Sequence, residues 1–133
     1  MPDKPNDDFD AVTKLSPHSV GVTVEKLLEL LRSKDIKIFA VIDQRAEARH
    51  IGLNLRETTL VIFGNPMAGT PVMEAVPLAA LDLPLKILVW ADGDETKVTY
   101  VAPEALAVRY HLAPDLQGRL AGIHDLVNAL VSN

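Results

Sequence analysis

The sequence predicts an α+β fold in which helices pack against a mainly antiparallel sheet, and three observations predict it. Strand-like and helix-like periods are mixed along the chain without the strict alternation of a parallel α/β protein. The turn Asp92-Gly93-Asp94-Glu95 sits between two strand-like runs and signals a hairpin, which makes its strands antiparallel neighbours. The segment from Val20 to Leu31 is apolar along one stripe only, so it lies on an apolar surface rather than inside one.

The elements follow in order. Residues 1–8 are polar and contain proline, and are expected to be a flexible tail ahead of a single domain at 9–133. Phe9 to Leu15 is a weak strand candidate. Ser19 is the expected N-cap of a helix whose inner stripe is Val20, Val24, Leu27, Leu28 and Leu31. Ile36 to Asp43 alternates as a strand, with Ile38, Ala40 and Ile42 sharing one face. Residues 44–51 suit a short helix stopped by Gly52. Thr58 to Phe63 is β-branched and aromatic, a strong strand.

Pro66 and Pro77 bracket a helical region that their rings break into two short pieces. Within it, Thr70 before Pro71 reads as an N-cap followed by a first-turn proline. Leu85 to Ala91 and Thr96 to Val101 are the hairpin strands. Pro103 opens a helix to about His111, and Pro114 opens a final one with Leu116, Leu120, Ile123, Val127 and Leu130 on one face. Parity nominates a core of Ile38, Ala40, Ile42, Leu60, Ile62, Ile87, Val89, Val98 and Tyr100. Lys37 and Thr59 then fall on the outer face.

A chain of 133 residues with 48% hydrophobic content builds one core without staples. Its net charge of −5, from 13 basic and 18 acidic residues, repels phosphate backbones, so no nucleic-acid partner is expected. The absence of cysteine excludes a disulfide frame, a thiolate metal site and a cysteine nucleophile. No apolar run approaches the ~20 residues that span a bilayer, and the first residues lack signal-peptide character. No membrane partner and a cytoplasmic location are therefore expected.

Two constellations could carry chemistry. The corner from Gly64 to Pro71 follows a strand and opens a helix, and its glycines allow close approach of a ligand to the main chain. Gly64, Asn65, Gly69 and Thr70 are the residues nominated there, as an exposed concavity with free amides for an anionic group. As a bland alternative, they serve only as turn and capping residues. The second constellation is Asp43, Lys86 and Tyr100, polar groups near strand ends that could join Asn65 around one cleft. The bland alternative has Asp43 capping the next helix and Lys86 in solvent. Neither metal nor cofactor is expected, because His18, His50, His111 and His124 show no ligand spacing. No Gly-x-Ser-x-Gly elbow is present.

The stretch from Thr58 to Trp90 adds a resemblance. Gly64-Asn65-Pro66, Gly69-Thr70-Pro71, Asp82-Leu83-Pro84 and Trp90, in that order, resemble the bacterial and archaeal family called domain of unknown function 302. The resemblance extends from about Val12 to the last helix and implies a two-layer β-α-β(4)-α arrangement with an inserted helical segment. Members often have Ile-Asp-His where this chain has Ile42-Asp43-Gln44, and a Tyr-Asn-Asp-Pro-like run where it has Tyr100-Val101-Ala102-Pro103. A role resting on those histidine, asparagine and aspartate positions is not carried over.

The expected function is that of a small binding or accessory module for a polar or anionic small molecule at the Gly64–Pro71 corner. The alternatives are an enzyme using Asp43, Lys86 and Tyr100 in acid/base chemistry, and a structural interaction module. A homodimer is also expected, because both sheet faces are apolar while one helix layer covers only one. The surplus patch is Phe39, Leu88, Trp90 and Val101.

Overall fold

The computed structural model describes residues 10–132, so the tail at 1–8 and Phe9 lie outside the described residues. Five strands form one antiparallel sheet: β1 (Ala11–Ser16), β2 (Lys37–Asp43), β3 (Thr58–Gly64), β4 (Leu85–Asp92) and β5 (Glu95–Val101). Their spatial order is β1-β5-β4-β3-β2, so β2 to β5 run as a meander and β1 adds beyond β5. The hairpin turn closes at Gly93, whose φ of 61° suits a residue without Cβ. The order and the two layers are those the sequence implied.

Helix α1 (Val20–Ser33) begins where Ser19 Oγ accepts the Val22 amide at 3.2 Å. Its stripe of Val20, Val24, Leu27, Leu28 and Leu31 is buried against one sheet face, beside Ile123, Leu126, Val127 and Leu130 of α6 (Gly122–Val131). From the sheet, Val61, Phe63, Ile87, Val89, Val98 and Tyr100 complete this principal core. Leu27 and Leu31 are wholly buried, and burial of such a side chain stabilises by roughly 1.5–3 kcal/mol.

Two parts of the expected core are corrected. In β3 the helix-facing residues are Thr59, Val61 and Phe63, while Leu60 and Ile62 point to the other face. The register of β3 was therefore inverted by parity: every other residue on either face is apolar, and only pairing with Ile87 and Val89 decides between them. In β2 a bulge between Ile38 and Ala40 breaks the alternation. Ile38 pairs with Phe63 on the helix side, whereas Ala40 and Ile42 pair with Ile62 and Leu60 on the open side.

A second, smaller cluster caps the sheet end at which β3 finishes and β4 begins. It is built by α3 (Pro66–Ala75), a 3-10 helix (Pro77–Asp82), α4 (Pro103–Tyr110) and α5 (Pro114–Leu120). Val72, Ala79, Leu106, Ala107, Leu112 and Leu120 are its buried side chains. Tyr110 Oη donates to Asp82, binding α4 to the 3-10 helix. The expected single final helix is two, broken at Ala121 between Gly118 and Gly122. Glycine weakens helix interiors, and the break lets Leu120 join the cap while Ile123 joins the main core.

Candidate functional site

Between the cap and the sandwich lies a cleft of about 510 Å³, within the roughly 300–1,000 Å³ typical of small-molecule sites. α3 and α5 form its cap side; the end of α1, the starts of β2 and β4, the end of β3 and α6 form the other. Its buried lining is apolar: Phe63, Leu120, Ile123 and Leu126 are each no more than 4% exposed. Its charged lining residues, Lys34, Arg119 and Asp125, are all exposed. Polarity is thus graded from an apolar interior to a charged mouth.

Gly64, Asn65, Gly69 and Thr70 all line this cleft, with Asn65 and Thr70 exposed. Their local chemistry differs from the expectation. α3 starts at Asn65, whose Oδ1 accepts the Met67 amide at 2.9 Å, with Pro66 at the first helical position. The amides of Ala68 and Gly69 both donate to the Asn65 carbonyl, at 2.8 and 2.9 Å. The free amides sought at Thr70 are therefore absent, because an asparagine followed by proline caps the helix five residues earlier than the Thr70-Pro71 pair would.

Pro71 is consequently inside α3 and lacks the N–H that would bond to the Met67 carbonyl. Arg119 Nη1 donates to that carbonyl at 3.4 Å, joining α5 to α3 across the cleft's cap side. Gly69 is a second irregularity of α3. Its backbone has no need of glycine, and a Cβ placed there would meet only Met73 Cε at 3.9 Å. A Cβ at Gly122, on the facing helix α6, would meet nothing within 4 Å. Both positions leave open the space between the two helices. Gly64 is tighter, since its Cβ would approach Pro84 Cβ to 3.3 Å.

The second constellation does not assemble. Asp43 lies at the opposite end of β2 from Lys37 and Gly64, where its Oδ1 accepts the Ala46 amide at 2.9 Å as the N-cap of α2 (Gln44–His50). Lys86 is exposed and pairs with Ile62 on the open sheet face. Tyr100 is 3% exposed on the helix face. None of the three lines the cleft.

Tyr100 belongs instead to a chain of side chains that sequence reasoning missed. Its Oη lies 2.6 Å from His124 Nδ1, and His124 Nε2 lies 3.0 and 3.2 Å from the Glu104 carboxylate oxygens. Burial, followed by the Glu104 charge, pushes the Tyr100 phenol up. The Glu104 carboxyl is held below its usual range by its own backbone amide first and by His124 next. With Glu104 ionised, the imidazole donates from Nε2 and accepts the phenol proton at Nδ1. These residues come from β5, α4 and α6, so no spacing in the sequence announced them. For Arg119 a signal did exist: a proline inside a helix orphans a carbonyl, and some donor has to reach it. Among the described residues, no group of three or more His, Asp or Glu could hold a metal ion.

The family model described as "Domain of unknown function DUF302" matches residues 12–130. A crystal structure of an uncharacterized conserved DUF302 protein from Bacillus stearothermophilus superposes with a TM-score of 0.78 at 20% identity, covering 92% of this chain and 95% of that one. Among curated proteins, the Fluoride-specific ion channel FluC 1 of Brucella suis biovar 1 (strain 1330) is 39% identical over 106 residues, or 79% of this chain and 42% of that protein. The Brucella abortus biovar 1 (strain 9-941) protein of the same name is also 39% identical over 106 residues, covering 39% of its length. The chain therefore spans about two fifths of the curated relatives it matches. No helix among the described residues is long and apolar enough to cross a membrane.

Proposed function

The chain belongs to the DUF302 family, and from that premise and the chemistry of the cleft we propose that it is a small-molecule binding module. Its ligand sits between α3 and α6 at the Gly64–Pro71 corner. The observation that carries this reading is the pair of side-chain-free positions, Gly69 and Gly122, on facing walls of one cleft. Glycine inside a helix costs about 1 kcal/mol relative to alanine, and neither a dihedral requirement nor close packing explains Gly69 within α3. Keeping the cleft open does.

The reading that Asp43, Lys86 and Tyr100 act together as acid and base has no such support, since they occupy different ends and faces of the sheet. An accessory role is favoured by the curated relatives. In those proteins, named as fluoride-specific ion channels, the similar segment is about two fifths of the length. A module of this kind would then serve a larger partner, covalently joined in the relatives. We further propose self-association through the uncovered sheet face.

The test is to close the cleft without harming the fold. Gly69→Leu places an aliphatic chain in the open space and improves helix propensity, so its melting temperature is expected to equal or exceed that of the parent. In a thermal-shift screen against small metabolites, ligands that raise the parent's melting temperature are expected to lose that effect in the variant. Equal shifts in both proteins would place binding elsewhere.

A further inference from the structure

We infer that the ligand of this cleft is an amphipathic monoanion, an aliphatic or aryl carboxylate whose tail lies inside and whose head remains at the mouth. The inference rests on the binding reading above and adds the ligand's class to it. It follows from where the lining residues stand. The deep surface of Phe63, Ile123 and Leu126 offers no hydrogen-bond donor or acceptor from its side chains, so a wholly polar ligand would lose its hydration there without replacement. A wholly apolar ligand would leave the charged mouth unused. The mouth holds Lys34 at the end of α1, Arg119 in the last turn of α5 and Asp125 in the first turn of α6.

These side chains sum to one net positive charge, which selects a single negative charge over two or none. Lys34 and Arg119 make no ion pair among the described residues. Arg119 spends Nη1 on the Met67 carbonyl, and its remaining N–H groups are left to face a head group. Asp125 opposes the anion, so the head is favoured beside Lys34 or Arg119 rather than beside Asp125. The corner's main-chain amides contribute no anion site, because those of Met67, Ala68 and Gly69 are spent on Asn65 at the start of α3.

Isothermal titration of the full chain with hexanoate, octanoate and 1-octanol separates the contributions of tail and charge. Each added methylene is expected to strengthen binding roughly three- to four-fold, so octanoate should exceed hexanoate about ten-fold. Lys34→Gln is expected to weaken octanoate roughly two- to five-fold, and Asp125→Asn to strengthen it by a similar factor, with 1-octanol unmoved by either. Both variants are exposed and leave the Arg119–Met67 bond intact. Equal affinity for 1-octanol and octanoate, with neither charge variant moving either ligand, overturns the anionic class and leaves the binding reading standing. Hexanoate binding as tightly as octanoate overturns the tail. Failure of all these ligands to bind, alongside a metabolite whose thermal shift Gly69→Leu abolishes, also overturns the class while upholding the site. If that screen fails as well, both fall.

Discussion

A single missing proton organises the cap. Pro71 has no amide hydrogen, so the Met67 carbonyl four residues earlier would be unpaired without the Arg119 guanidinium at 3.4 Å. An exposed bond of that length stabilises by roughly 0.5–1 kcal/mol. The dependence is conditional, which makes it testable. Arg119→Ala is expected to cost about that much in urea unfolding, and close to nothing in a Pro71→Ala background, where a restored amide satisfies the carbonyl. Equal losses in both backgrounds would show that Arg119 acts through something other than Met67. Asn65 shows the same logic from the other side. Its side chain fixes where α3 begins, and Thr70 is thereby a helical residue on the cleft wall rather than a cap.

Three elements meet in the Tyr100–His124–Glu104 chain, and their contribution depends on pH. The Glu104 carboxyl is lowered from its ordinary value of 4.5, so the stabilisation it brings is present above that pH and is lost as pH falls through the lowered value. The Tyr100 phenol is raised above 10.0, so its stabilisation is present below pH 10 and is lost as pH rises through the raised value. Glu104→Gln is therefore expected to be less stable than the parent at pH 7 and to lose less on going to pH 3.5. Urea midpoints at the two values check this, and parallel losses would contradict it. Much at this scale was legible in the sequence. The N-caps Ser19 and Asp43, the stop at Gly52 and the hairpin at Gly93 are local chemistry, and each stands where its residues place it. The face of β3 was not legible, because Leu60 and Ile62 are as apolar as Val61 and Phe63. The bulge after Ile38 and the His124–Glu104 contact were equally hidden, being set by partners distant in sequence. The cleft was half visible: its corner is a sequence motif, but Lys34, Arg119 and Asp125 reach it only through tertiary packing.

At the scale of the molecule, helices cover one face of the sheet and leave the other open. α6 lies in the helix layer beside α1, so it does not fold over the opposite face. Of the expected surplus patch, Phe39 lines the cleft instead, whereas Val101 is 46% exposed on the open face and Trp90 is half-buried there with its Nε1 donating to Thr99 Oγ1 at 3.0 Å. Five strands of about seven residues offer roughly 500 Å² of face, and two such faces reach the ~1,000 Å² at which specific interfaces begin. Sedimentation is expected to show a concentration-dependent dimer that Leu88→Asp returns to monomer; a monomer at all concentrations would remove this proposal. The cleft lies on the helix side, away from that face, so its occupancy can be read separately. Amide chemical-shift mapping with octanoate is the most direct measurement. Perturbations clustered at Ala68, Gly69, Gly122 and Ile123, and abolished by Gly69→Leu, are the expected result; perturbations confined to Leu88, Trp90 and Val101 on the open sheet would contradict a site between α3 and α6.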